Sequence, residues 1–461
     1  MSAPRRLHLV GIGGAGMSGL ARLAVAAGDR VSGTDREESH MLDSLRALGV
    51  DARAGHDGRL PDALDALVVS TAIAPDNPDL VAARDRGVPV IHRAQLLAQL
   101  MEGHRGLTVA GAHGKSTTSA MLRLALGGAS ACIGATIDGG DGTGSAWGTG
   151  PWFVAEADES DRSLLHLRPE ATILLNVDHD HHSEYASLAE VEEVFAKALA
   201  ALPADGMVVA GPDPRAWALA CASGRPHRLI GHDEGAWGAV TDRHADGTTV
   251  LRLQEGRTVT FRLAVPGEHN ATNAACAIAM ADWCGVDAQV AADRLAAFTG
   301  VGRRWEHRGT VAGITVIDDY AHHPAEVAAT LAAARERHHG AVIAVFQPHL
   351  YSRTRALARE FGEALSAADI AIVTDVYPAR EAPVPGVTGQ LIVDAVDRRT
   401  PTEYAPTLKD ALRTVMGHVG RGDLVLTLGA GDITRLGQEL VVALQNTYSN
   451  GDPADGARRP D

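Results

Sequence analysis

Short apolar runs alternate along most of this chain with alanine-rich stretches of helical period. A continuous apolar run is what a strand covered on both faces requires, and parallel neighbours need a helical crossover, so the pattern predicts βα units and an α/β fold. Predicted strands include Leu7–Val10, Ala171–Leu175, Ile314–Ile317, Ala341–Phe346, Ile370–Thr374 and Leu424–Thr427. Two strand-like runs feed glycine loops that open helices, LHLVGIGGAGMSGLA at 7–21 and LTVAGAHGKSTTSAM at 107–121. A third α/β stretch begins after the arginine pair at 303–304. Boundaries are placed near 103 and 299, which predicts domains at 1–103, 104–299 and 300–448. The tail at 449–461 is rich in Pro, Gly and Asp and is expected to be disordered.

Composition narrows the chemistry. The 461 residues carry a net charge of -15, which speaks against a large nucleic-acid footprint. No apolar run approaches the ~18 residues of a membrane span, and little chain precedes the first strand, so neither a membrane anchor nor a signal peptide is expected. The expected location is the cytoplasm. Four cysteines (Cys132, Cys221, Cys276, Cys284) form no C-x-x-C pair. They read as reduced thiols rather than a disulfide framework or a zinc site.

Gly11, Gly13, Gly14, Ala15 and Gly16 lie in a G-x-G-x-x-G loop after a strand, with Asp35 ending the next strand. Glycines let the backbone approach a pyrophosphate, and the helix N-terminus supplies amide donors. Alone, the loop leaves NAD(P) and other nucleotides open. The second loop, Gly111, Ala112, His113, Gly114, Lys115, Ser116 and Thr117, carries the G-K-S core of a phosphate loop, although Val109 stands where the first glycine of the full motif belongs. Its amides and Lys115 suit ATP phosphates, and the Ser116 hydroxyl suits Mg²⁺. Lys115 is expected to be an exposed loop lysine. Two nucleotide loops argue against a simple dehydrogenase.

An acidic run, VAEADESD at 154–161, and Asn176-Val177-Asp178-His179-Asp180-His181 each follow a buried strand run. Strand ends are where α/β sites are built. Glu156 and His181 can hold a second Mg²⁺, with waters completing the octahedron. His179, His181 and His182 also invite a zinc reading, but oxygen-rich company favours magnesium.

Together, GIGGAGMSGLA, GAHGKSTT, AEADESD, Asn176 to His181, GEHNATNAACA at 267–277, GRR at 302–304, DDYAHHPAEV at 318–327 and FQPHLYSRT at 346–354 resemble the Mur ligases, in order and over nearly the whole chain. The resemblance implies a Rossmann-like UDP-binding domain, a central P-loop-type ATPase and a Rossmann-like C-terminal domain that closes over the site. It implies ATP and Mg²⁺ as cofactors, Mn²⁺ as a substitute, and UDP-N-acetylmuramate and L-alanine as substrates in peptidoglycan precursor synthesis. No nucleic-acid or membrane partner is expected, and the chain is expected to be a monomer or weak homodimer.

The resemblance also implies residue roles. Lys115, Glu156 and His181 are catalytic, and Ser116, Glu156 and His181 hold metal. His269 and Asn270 hold adenine, with Asn273 in support, and Arg304 and Asp319 reach back to the nucleotide. The UDP-sugar falls to the first glycine loop with Asp35, Ser70, Asp158, Glu159 and Ser160. Tyr320, His322, His349 and Arg353 form the amino-acid pocket. Three departures stand out: Ala112 replaces a threonine, Leu350 stands where many members carry arginine, and the segment 138–150 is short. Lys197 lies where some members carry a carbamylated lysine, but it reads as a solvated helix lysine. The competing readings are a ligase of the same fold that attaches a recycled tripeptide, an oxidoreductase built on the first loop, and a binding protein without turnover.

Overall fold

The computed structural model describes residues 4–137, 144–179, 184–244, 246–379 and 381–449. The first sheet contains β1 (Arg6–Val10), β2 (Arg30–Asp35), β3 (Asp51–Ala54), β4 (Ala66–Val69) and β5 (Val90–His92). Its order is β3-β2-β1-β4-β5, all parallel. The order reverses between β1 and β4, and the crevice beyond their carboxyl ends is the usual ligand position in such a sheet. The first glycine loop and Ser70 both sit there.

The central sheet contains β6 (Arg105–Ala110), β7 (Ser130–Cys132), β8 (Ser145–Ala146), β9 (Trp152–Glu156), β10 (Ala171–Leu174), β11 (Met207–Ala210) and β12 (His227–Leu229). Its order, β12-β11-β10-β6-β9-β7-β8, puts β6 between β10 and β9. The phosphate loop leaves β6 flanked by the ends of both neighbours, which carry Asn176 and Glu156. A three-stranded antiparallel sheet of β13 (Gly238–Arg243), β14 (Thr248–Leu253) and β15 (Thr258–Arg262) adds to this domain. The alternation of βα units did not foretell it.

The third sheet contains β16 (Glu306–Val311), β17 (Ile314–Asp319), β18 (Val342–Phe346), β19 (Ile370–Val373), β20 (Thr402–Tyr404) and β21 (Leu424–Leu428). Its order is β16-β17-β21-β18-β19-β20. It is parallel except for the edge strand β16, which runs antiparallel to β17. The polar sequence EHRGTV hid β16, because an edge strand needs no continuous apolar run.

The core is divided unevenly. One apolar cluster runs from Leu7, Leu20 and Leu97 of the first domain into Phe153, Leu164 and Phe195 of the second. Trp147 reinforces this seam, donating its indole N–H to Leu23 O at 2.9 Å. The third domain instead has its own clusters on the two faces of its sheet. It meets the second through polar groups, including Arg337 on Ala264 O at 2.6 Å and an Arg243–Glu336 ion pair.

Candidate active site

Each nucleotide loop is shaped by glycine where the chain demands it. In the first, Gly11 has φ +75 and donates to Thr34 O at 2.8 Å. The Gly13 amide donates to Asp35 Oδ2 at 2.8 Å, so Asp35 braces the loop itself. Gly14 caps the helix Ala15–Ala26. A Cβ on Gly13 would lie 3.0 Å from Asp35 Oδ2, and one on Gly16 would lie 3.2 Å from Arg93 Nη1. Gly13→Val should therefore distort the loop and raise KM for the UDP-sugar about tenfold or more while leaving KM for ATP near its wild-type value. Steady-state kinetics with each substrate varied checks this, and tight NADH binding lost in the variant would instead support an oxidoreductase.

In the second loop, Gly111 and Gly114 have φ of +130 and +84. Asn176 fixes the turn between them: its Oδ1 accepts from His113 N at 2.8 Å and its Nδ2 donates to His113 O at 3.1 Å. Lys115 folds back over the loop, donating to Gly111 O at 2.7 Å and to Glu159 Oε2 at 2.9 Å. Its side chain is only 13% exposed, which corrects the expectation of an exposed lysine. Burial alone would strip the ammonium of its charge, but Glu159 and Asp158 hold its pKa above the ordinary lysine value. Glu159 is 2% exposed, and burial pushes its carboxyl up to about 7 against the pull of Lys115.

Ser116 Oγ donates to both oxygens of Glu156 at 3.0 Å, and Gly134 N donates to Glu156 Oε2 at 2.9 Å. A hydroxyl and a carboxylate this close form an oxygen donor set that fits Mg²⁺. His181, with residues 180–183, lies outside the described residues, as do 138–143 of the short segment. His179 is described: its Nε2 is 3.1 Å from Tyr185 O.

Glu156 also lines a groove between the first two domains, together with Gly16, Arg93, Cys132, Asp158 and Ser163. Arg93 crosses this boundary, donating to Asp158 Oδ2 at 3.1 Å and Asp161 Oδ2 at 3.0 Å. Burial opposes the Asp158 charge, but Lys115 and Arg93 hold its pKa down to about 2. Ser160 caps this turn, donating its N–H to Asp158 Oδ1 at 3.0 Å. Glu159 faces Lys115 instead of the groove.

A cavity of about 190 Å³ opens beside the phosphate loop. His113, Gly114, Thr117, His269, Asn270, Asn273, Arg304 and Asp319 all line it, so the structure gathers these predicted nucleotide groups from two domains. Asn270 Nδ2 donates to Pro266 O at 2.6 Å, and a Cβ on Gly114 would lie 3.0 Å from Asn273 Oδ1. Arg304 is flanked by Arg303 and Trp305, both at positive φ (59 and 56). Non-glycine residues pay for that conformation, and it is found where a side chain must be aimed. Asp319 receives Trp305 N at 2.8 Å and Ala321 N at 2.9 Å, and burial raises its pKa to about 6 even with Arg304 opposing.

In the third domain, the Tyr320 and His322 rings are 5.0 Å apart, and His322 is 6.2 Å from His349. Arg353 Nη1 donates to His349 Nδ1 at 3.4 Å, and His349 stacks on Tyr377. Arg353 is 4% exposed, whereas Arg355 and Arg359 are exposed, so Arg353 is not a surface arginine of its helix. Leu350 precedes that helix at φ +73, and its carbonyl accepts from Thr354 N at 3.0 Å. Lys197 pairs with Glu193 one turn away at 2.7 Å on an exposed helix face. Arg93 and Glu326 were not singled out from sequence. Glu326 lies inside the DDYAHHPAEV segment, while Arg93 opens a helix with no local motif.

The glycine loop at 111–117, the Ser116–Glu156 oxygen donor set and the flanking groove and cavity thus meet where three α/β domains adjoin. Family models match in the same order: the Mur ligase family catalytic domain over 6–105, the Mur ligase middle domain over 152–281, and the Mur ligase glutamate ligase domain over 303–431. The chain belongs to the Mur ligase family. A Kineococcus radiotolerans protein named UDP-N-acetylmuramate–L-alanine ligase is 47% identical over 450 residues, covering 95% of each chain. A Renibacterium salmoninarum protein of the same name is 44% identical over 452 residues, covering 95% of this chain and 96% of that one. A solved UDP-N-acetylmuramate–alanine ligase from Thermotoga maritima superposes with a TM-score of 0.81 at 28% identity, covering 96% of this chain and 99% of that one.

Proposed function

We propose that this protein joins L-alanine to the carboxylate of UDP-N-acetylmuramate at the expense of ATP. The observation that carries the reading is the continuity of the site: Glu156 lines the groove leading from the first glycine loop and also accepts from Ser116 of the phosphate loop. A sugar nucleotide bound along that groove brings its carboxylate to the phosphate loop.

A carboxylate is a poor electrophile, so it is first activated. Its oxygen attacks the γ-phosphorus of ATP, the bond to ADP breaks, and an acyl phosphate forms. The amine of L-alanine then attacks the carbonyl carbon. The tetrahedral intermediate loses phosphate and the nitrogen loses a proton, leaving the amide. Lys115 moves from Glu159 to the transferring phosphoryl group and neutralises the charge that develops there. Ser116 and Glu156, with His181 as the resemblance implies, would hold Mg²⁺, which would supply further charge neutralisation when bound. Asn270 and His269 orient the base, and Arg304 covers the nucleotide from the third domain. Tyr320, His322, His349 and Arg353 hold the amino acid. No helix among the described residues is long and apolar enough to cross a membrane, and the reading requires none.

The test is ADP release with UDP-N-acetylmuramate and each candidate amine in turn. L-Alanine should support turnover well above glycine, L-serine or the murein tripeptide; equal or better turnover with the tripeptide would reassign the enzyme. Glu156→Gln keeps the shape and removes the charge, so it should shift the Mg²⁺ titration upward about tenfold or more and lower kcat. Superimposable Mg²⁺ titrations for variant and wild type would remove Glu156 from the metal site.

A further inference from the structure

One carboxylate joins the phosphate loop to the C-terminal domain, beside the His113–His323 ring contact at 4.8 Å. Glu326 lies in the first turn of the helix Pro324–Arg337, where the helix end favours negative charge, and it is 8% exposed. Its Oε1 accepts from Arg304 Nη1 at 3.1 Å and lies 3.3 Å from His113 Nδ1. Its Oε2 accepts from His322 N at 3.0 Å and lies 3.1 Å from His322 Nδ1. Arg304 and His322 share its domain, whereas His113 belongs to the phosphate loop of the other. The path continues from His322 to the His349 ring at 6.2 Å, and from His349 to Arg353 at 3.4 Å. Contacts therefore connect the nucleotide loop to the amino-acid pocket, and Glu326 is where the path crosses between domains.

A buried carboxylate is tolerated only when its partners are in place, and removing one partner leaves an uncompensated charge. With His113 docked, Glu326 is satisfied and accepts from the His322 N–H, while the His322 Nδ1 beside it also lies 3.0 Å from Tyr320 O. With His113 withdrawn, the same oxygens face water or compete for Arg304 and His322. A side chain whose partners lie in both sites can transmit to one site a change made at the other.

We propose that Glu326 is a positioning residue that couples the two sites, so that bound nucleotide tightens L-alanine and bound L-alanine tightens nucleotide. The inference rests on the assignment of ATP to the Gly111–Thr117 loop and of L-alanine to the pocket from Tyr320 to Arg353. It adds that a single side chain carries the linkage between them. A purely structural role for Glu326 would lower stability or kcat and leave the ratio of affinities untouched.

The experiment is calorimetric titration of L-alanine into the full chain saturated with UDP-N-acetylmuramate, with and without a non-hydrolysable ATP analogue. Wild type should bind L-alanine at least about fivefold more tightly with the nucleotide present, and by reciprocity the analogue should gain the same factor from L-alanine. Glu326→Gln and His113→Asn should each bring that factor close to one, and the double variant should fall no further, because both changes cut the same link. His113 is only half-buried, so its variant keeps the test open if Glu326→Gln fails to fold. A wild-type factor retained in either variant, additive losses in the double variant, or no factor in wild type would overturn the coupling role. Failure of the underlying site assignment looks different: L-alanine would give no binding heat under any condition and no stimulation of ADP release.

Discussion

Lys115→Ala should release no measurable ADP under conditions where the wild-type chain turns over. Among the described residues no other lysine or arginine hydrogen-bonds the Gly111–Ala112 carbonyls, so the lost charge is not replaced there at the transferring phosphoryl group. The variant should also be less stable, an effect that an exposed lysine would not have. Glu159 is buried against Lys115 and loses its cation, and an orphaned buried charge costs about 3–5 kcal/mol. The sign of the pH dependence follows. The folded-state pKa of Glu159 is already above the unfolded value, at about 7, and it rises further without Lys115. A raised carboxyl favours folding at low pH and loses that contribution as pH climbs through the folded value. The stability deficit of the variant should therefore stay small up to about pH 7, begin to grow there, and reach its full size only past the variant's own, higher folded value. Thermal melts across that range check the deficit, and ADP release checks the chemistry. Normal turnover would sink the ATPase assignment, while a deficit independent of pH would mean that Glu159 is not the group left unpaired.

Arg353→Lys should raise KM for L-alanine by about 10–100-fold, the range expected when a charged, forked hydrogen bond to a carboxylate is lost. KM for ATP and for the UDP-sugar should change little. L-Alanine offers a methyl group, an ammonium and a carboxylate, and discrimination on a methyl-sized group is worth only about 1–3 kcal/mol. The carboxylate must therefore supply most of the recognition. Lysine keeps the charge but not the planar fork. The control is Arg355→Lys on the same helix, because Arg355 is exposed where Arg353 is 4% exposed. Leu350 offers no second cation, so in the proposed pocket the load would fall on Arg353. Small, equal effects from both substitutions would place the carboxylate elsewhere.

The sequence was legible wherever one local rule decides the structure. Buried parallel strands announced themselves as apolar runs, so Arg6–Val10, Ala171–Leu174 and Leu424–Leu428 fall within a residue of expectation. The phosphate loop was legible because Gly114 must take φ +84, and Asn176 stood out because it follows a strand. The antiparallel strands Gly238–Arg243, Thr248–Leu253 and Thr258–Arg262 were not seen, because half-exposed strands mix polar and apolar residues. The burial of Lys115 could not be read either. Its partner Glu159 lies 44 residues away, and only the pairing of β6 with β9 brings the two together. The same holds for Glu326, whose meeting with His113 spans two domains. A resemblance carries residue identities forward, but it does not report which side chains lean on one another.

The uneven division of the core has a consequence for wear. An oily seam joins the first two domains, so parting them would expose Leu20, Leu97 and Phe153 to water. The third domain touches its neighbour through charges and carbonyls, groups that water satisfies nearly as well as protein does. A joint of this kind can come apart and re-form without baring a sticky surface. Were the third domain to swing away, it would bare wettable groups, and the greasy faces that invite aggregation would stay covered.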